Sequence, residues 1–224
     1  MRKNNNAGSK ELIRSNILSS ANVFNNYLSG KCFMYVFDDD TYIEVFYRKN
    51  SFSHLTGVDT YLSAIDFYNK AKKNILTSSQ FTFNENTHPY DLAKRKTNRL
   101  NEISKFINSD LIVLKDLSTQ TAVYKFGLTD TDLTLCFSEN LDIKTKKKID
   151  EYYIPASFRV GDDSINKCLD CTFVTHIFMK TNKTMKYHTI SYGDINIVDD
   201  FPANIKDKID TLKILGKEKI AWNK

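Results

Sequence analysis

Apolar residues recur at helical spacing between Ser9 and Ser29, with Leu12, Ile17, Leu18, Ala21, Phe24 and Leu28 on the repeating positions, and this predicts a long first helix. Gly30 stands where such a helix would end. The pattern then changes period. "CFMYVFD" (32–38) and "TYIEVFYRK" (41–49) are β-branched and aromatic and are joined across Asp38, Asp39 and Asp40, which predicts an antiparallel hairpin. After "FSHLTGV" (52–58), Asp59 is expected to cap a helix over 60–74 whose inward stripe is Leu62, Ile65, Tyr68 and Ile75. A further helix is expected over about 90–108.

Beyond it the apolar positions fall into short runs separated by polar turns: "LIVLKDL", "TAVYKFGL", "LTLCFSE", "YYIPASF", "CTFVTHIFMK" and "MKYHTISY". Such a rhythm predicts an antiparallel meander. Ile205, Ile209, Leu212 and Ile214 suggest a closing helix over about 203–216. Helices lead, strands follow, and no βαβ alternation is present. The expected fold class is therefore α+β, with N-terminal helices packed on an antiparallel sheet. Residues 1–8 are expected to be a frayed polar terminus and 9–224 a single domain.

Composition adds few constraints. The chain has 224 residues, 41% hydrophobic and 26% charged, enough to bury a substantial core. Its apolar runs are too short to cross a bilayer as a helix, and its start lacks the apolar stretch of a secretory signal, so the expected location is cytoplasmic. Net charge is +5, from 32 Lys and Arg against 27 Asp and Glu. That mild excess suits a polyanionic partner without requiring one. The basic residues cluster in "AKRKTNR" (93–99) and "KTKKK" (144–148), the second reading best as a solvated segment. Cys168 and Cys171 form a CxxC with no second ligand pair, so all four cysteines are expected to be free thiols, and no metal or other cofactor is expected.

Certain residues break the local pattern. Leu92, Lys96, Leu100, Ile103 and Ile107 share one face of the third helix, so a lysine interrupts the stripe that should meet the core. Its ammonium must either snorkel to solvent or face a polar cavity, with Arg95 and Arg99 near enough to reinforce it. On "CTFVTHIFMK", period two places Val174, His176, Phe178 and Lys180 on one face and Phe173, Thr175, Ile177 and Met179 on the other. Lys180 ends that strand and Tyr187 lies on the return. This is a cation and phenol pair that suits either a phosphate or an ordinary solvated hairpin end. Ser157 follows Pro155 and precedes Arg159, without the glycines of a nucleophile elbow. No P-loop, GxGxxG or HExxH is present. His54, at a strand-to-helix junction with Gly57 three residues on, carries the side chain best suited to proton transfer near neutrality, and it equally fits a packing role.

In order along the chain, "FSHLTGV", "NKAKKNIL", "KRKTNRL", "YYIPASF" and "IFMKTNKTMKY" resemble the phage-type branch, fourth group, of the Barnase–EndoU–colicin–RelE nuclease superfamily. The resemblance spans about residues 30–190 and departs from the pattern at Ala156, where Asn would fit better. It implies a metal-independent endoribonuclease in which the ribose 2′-OH attacks the adjacent phosphorus, leaving a 2′,3′-cyclic phosphate and a 5′-OH. His54 would then move a proton, Lys96 and Lys180 would stabilise charge, and Tyr187 and Ser157 would orient groups. Thr56, Arg99 and Arg159 would bind substrate. RNA, tRNA included, is the implied substrate, a cognate inhibitor protein is a candidate partner, and a phage or mobile-element toxin or effector is the implied setting. Competing readings are a catalytically silent nucleic-acid- or protein-binding domain on the same fold, and a transferase acting on a nucleotide-containing cofactor.

Overall fold

The computed structural model describes residues 5–118, 122–142, 144–161, 166, 168–181, 183 and 185–215. Helix α1 (Asn5–Tyr27) begins inside the stretch expected to be frayed. It buries Ile13, Ile17, Ala21 and Phe24 completely, with Leu28 just past its end, a stripe at spacings of three and four; Leu12, expected in that stripe, is exposed, and Ile13 takes its place. Each large side chain removed from water in this way stabilises the fold by about 1.5–3 kcal/mol before entropy is counted. Strands β1 (Cys32–Phe37) and β2 (Tyr42–Phe46) form the expected hairpin, with Met34 opposite Glu44. Three short elements follow: α2 (Phe52–Thr56), β3 (Asp59–Thr60) and α3 (Ala64–Lys72). The cap of α3 is Ser63, which accepts from the Asp66 amide at 3.1 Å; Asp59, expected in that role, lies in β3 instead. Tyr68 is buried as expected, whereas Ile65 and Ile75, also expected to face inward, are exposed, and Phe67 and Ala71 are buried in their place.

A two-residue strand β4 (Phe81–Thr82) pairs with β3, and α4 (Tyr90–Arg99) continues into a 3-10 turn over Leu100–Ile107. The chain then lays down β5 (Ile112–Ser118), β6 (Val123–Thr129), β7 (Leu133–Leu141), β8 (Lys148–Val160), β9 (Asp170–Lys180) and β10 (Thr189–Tyr192). It ends, among the described residues, with α5 (Ala203–Lys206) and the segment through 215.

The strands overturn the expectation of helices on an antiparallel sheet. Their order is β1-β2-β8-β7-β6-β5-β9, and β9 pairs back onto β1, so seven strands close into a barrel with β10 added beside β9. The barrel is mixed, because β2 and β8 run parallel where Val45 meets Tyr153. Closure takes β9 along both edges: Cys32 pairs with Lys180 on one side, and Ile112 with Phe173 on the other.

Strand β1 is buried on both faces, which accounts for an unbroken apolar run where one-sided strands alternate. Phe33, Tyr35 and Phe37 join the core beneath the helices. Cys32, Met34 and Val36 join a second core with Phe178, Tyr187, Ile195, Val198, Phe201, Ile205 and Ile209. Among the irregularities that interrupt the ladders, two one-residue bulges bear on the cores and the cleft. Thr175 is the extra residue of β9 against β1, so Val174 turns to the helical core with Ile177 instead of sharing the face of His176. Ala156 is the extra residue of β8 against β7, between the pairs Cys136–Ser157 and Phe137–Pro155. Among the described residues no helix is long and apolar enough to cross a membrane.

Candidate active site

Every residue from Phe52 to Val58 is buried except His54. Phe52 and Leu55 sink into the main core and hold α2 down as a single anchored turn. Thr56 Oγ1 donates to the Ser53 carbonyl at 2.7 Å. Gly57 then ends the helix at φ +71, a left-handed conformation natural to glycine, and a Cβ there would stand 2.8 Å from Cδ of Lys96. The aliphatic stem of Lys96 thus passes over the one residue in this turn that leaves room for it. The lysine within the apolar stripe of α4 is 7% exposed, so its stem packs as core while its head reaches the cleft that His54 borders.

That cleft has a volume of about 650 Å³. One wall comes from the stretch 53–96, with His54, Asp59, His88, Leu92, Arg95 and Lys96. The other comes from strands, with Tyr124 on β6 and Ala156, Ser157, Arg159 and Val160 on β8. Past its single pairing with β2, β8 meets α2 and α4 along its free edge, and the cleft opens there. The bulge at Ala156 sits within this wall, a device that re-aims neighbouring side chains. Ser157 shares a hydrogen bond with Tyr124, and Arg159 lies close enough to favour the tyrosinate, although burial of the Tyr124 phenol is the larger effect and raises its pKa.

The electrostatics are cationic. Arg95, Lys96 and Arg159 border the space, and Arg48 lies on the far side of His54, lining with it a smaller recess of about 200 Å³. Arg48 Nη1 donates to Asn140 Oδ1 at 2.6 Å. The ring of His54 is exposed yet crowded by concave walls, which under-hydrates its charged form. This desolvation, with the nearby charges of Arg48 and His88, holds its pKa below the ordinary imidazole value. Across from it His88 Nδ1–H donates to Asp59 Oδ1 at 2.7 Å.

The structure therefore brings together His54, Lys96, Ser157 and Arg159 of the residues singled out in the sequence, and leaves four of them elsewhere. Thr56 is fully buried with its hydroxyl turned to its own helix. Arg99 is held by Glu102 and by Asp132, the latter at 2.8 Å, and lowers the Glu102 carboxyl to about 2. Lys180 and Tyr187 point into the second core. There the Tyr187 hydroxyl donates to Glu44 Oε1 at 2.9 Å, Lys208 reaches Glu44 Oε2 at 2.7 Å, and the Lys180 ammonium sits 4.2 Å from the Tyr187 ring centre. Burial presses the Lys180 pKa down, with Glu44 opposing. His88, Asp59 and Tyr124, which also line the cleft, and Arg48, which lines the smaller recess, did not stand out in the sequence as candidates. Asp59 looked like a helix cap, and "NTHPY" around His88 carries no pattern beyond its imidazole.

Cys32 and Cys136 are buried away from this cleft, and burial raises the Cys32 thiol to about 11. Among the described residues no group of three or more His, Cys, Asp and Glu is arranged to hold a metal ion. The exposed run 144–148 forms a surface turn closed by Asp142 and the start of β8.

In comparisons with known proteins, the family model described as phage-Barnase-EndoU-ColicinE5/D-RelE like nuclease 4 matches residues 16–196. No curated protein and no solved structure matches the chain.

Proposed function

The chain belongs to the phage-Barnase-EndoU-ColicinE5/D-RelE like nuclease 4 family, and on that footing we propose that it is a metal-independent endoribonuclease that cleaves by attack of the ribose 2′-OH on the adjacent phosphorus. The observation that carries this reading is His54, the one exposed residue of a buried turn, facing a cleft walled by Lys96, Arg95 and Arg159. Transesterification needs a proton acceptor for the 2′-OH, a donor for the departing 5′-oxygen, and fixed positive charge for the phosphorane. An imidazole kept neutral near pH 7 suits the first task, and the cations suit the third. Among the described residues no cysteine lines the cleft, and a nucleophile carried by the substrate as its 2′-OH suits the groups present, which favours RNA over DNA.

In this mechanism Lys96 and Arg159 hold the non-bridging phosphate oxygens from opposite walls, and Ser157, through its hydrogen bond to Tyr124, orients the phenol beside them. RNA is the substrate, with tRNA among the candidates, and a toxin or effector of a phage or mobile element is the setting such an activity fits. The test is incubation of the purified protein with total RNA in excess EDTA, followed by analysis of the new ends. Cyclic phosphate and 5′-OH termini that vanish with His54→Ala are expected. RNA left intact, or cleavage undiminished in that variant, overturns the reading.

A further inference from the structure

We propose that His88, oriented by Asp59, is the second proton-transfer group of this site, protonating the leaving 5′-oxygen while His54 takes the proton of the 2′-OH. The assignment rests on the ribonuclease reading and adds a residue pair to it. His88 borders the same cleft as His54, and its Nδ1–H is committed to Asp59 Oδ1 at 2.7 Å. That bond leaves Nε2 as the nitrogen able to carry the mobile proton, and among the described residues it has no hydrogen-bond partner. A carboxylate on the far side of an imidazole also stabilises the imidazolium, the form a general acid must hold before it acts.

The surrounding backbone keeps the pair in place. Asp59 lies in the β3–β4 ladder opposite Thr82. His88 exchanges two backbone hydrogen bonds with Asn84, at 2.8 and 2.9 Å, and precedes Pro89 at the start of α4. The charged groups sharing the cleft with His88 are His54, Asp59, Arg95, Lys96 and Arg159. Asp59 is the acidic member of that set, and it contacts His88. The charge of Arg48 and that of His88 both add to desolvation in disfavouring protonation of His54, which leaves that ring to act as the acceptor.

The step balances as follows. The 2′-O–H bond breaks and its proton passes to His54; the 2′-oxygen bonds to phosphorus; the P–O5′ bond breaks, and O5′ takes the proton from His88 Nε2. His54 ends protonated and His88 neutral, and solvent restores both.

The test uses an RNA oligomer cut by the unaltered protein, and the same oligomer with sulfur replacing the 5′-oxygen at the scissile bond. A thiolate leaves without protonation, so it bypasses a general acid. His88→Ala and His88→Gln are expected to slow the ordinary bond by about 10²–10⁴-fold and to cut the sulfur-substituted bond at a rate close to that of the unaltered protein. His54→Ala is expected to be slow on both. Asp59→Asn, which removes the carboxylate that orients His88, should slow the ordinary bond and leave the sulfur-substituted bond close to the unaltered rate. Equal losses on both oligomers in both His88 variants, or no loss on either, would overturn the assignment. Failure of the unaltered protein to cut any RNA from which such an oligomer could be chosen would instead overturn the ribonuclease reading and this assignment with it.

Discussion

Lys96 occupies the space that a side chain on Gly57 would need: a methyl group there would stand 2.8 Å from the Lys96 Cδ. The glycine of "HLTG" and the lysine of the third helix are thus one device, since the turn that presents His54 also admits the stem that delivers the cation. Gly57→Ala combines a left-handed backbone with this overlap and should destabilise the fold by about 1–3 kcal/mol. In a Lys96→Ala background the overlap is relieved and only the backbone strain remains, so the loss should be smaller. Denaturant unfolding of the two single variants and the double variant checks this, and additivity would contradict it.

Lys96→Met separates packing from charge. The methionine stem still fills the space over Gly57, so stability should change by less than about 1.5 kcal/mol. Cleavage should fall by about 10²–10³-fold, the usual consequence of removing one group that stabilises transition-state charge. Single-turnover rates beside a thermal melt make the comparison.

Tyr187→Phe should do the reverse. It removes a hydrogen bond to the carboxylate of Glu44 inside the second core and should cost about 1.5–3 kcal/mol of stability. Cleavage per folded molecule should stay unchanged, because neither Tyr187 nor Lys180 borders the cleft. Loss of rate in a variant that melts normally would return Tyr187 to the mechanism.

The folded-state pKa values of His54 and His176 both lie below 6.5, burial being the main cause for each. The unfolded chain therefore binds more protons than the folded one between those lowered values and 6.5, and stability rises with pH across that window. On acidification the fold should lose stability as pH drops through 6.5, and the loss should level off below the folded values. Melting temperatures from about pH 7.5 to about pH 5 should show this slope, and His54→Asn should flatten it.

Thiol labelling should divide the cysteines. Cys171 is exposed and Cys168 half-exposed, whereas Cys32 and Cys136 are buried. A disulfide reagent should modify Cys171 and Cys168 in the native protein and reach the other two only after denaturation. Rapid native labelling of Cys32 would show that the second core opens readily.

Much of the local structure was legible in the sequence because it follows from each segment's own period. The α1 stripe, the β1–β2 hairpin, the strand-rich second half and the lysine misplaced among Leu92, Leu100 and Ile103 depend only on spacing. His54 drew notice as an imidazole at an expected strand-to-helix junction, and the structure sets it within α2, on the cleft. Spacing carries no record of which distant segment will cover a face. The parallel contact of Val45 with Tyr153, the return of β9 onto β1, and hence a closed barrel in place of an open sheet, join residues far apart in the chain. The same closure brings Ser157 and Arg159 against α2 and α4, and turns Lys180 and Tyr187 inward to Glu44. The pairing of His88 with Asp59 likewise arises from the β3–β4 contact, made between residues that no period relates. Periodicity is a property of one backbone segment, whereas a site is a property of the surfaces that closure presses together.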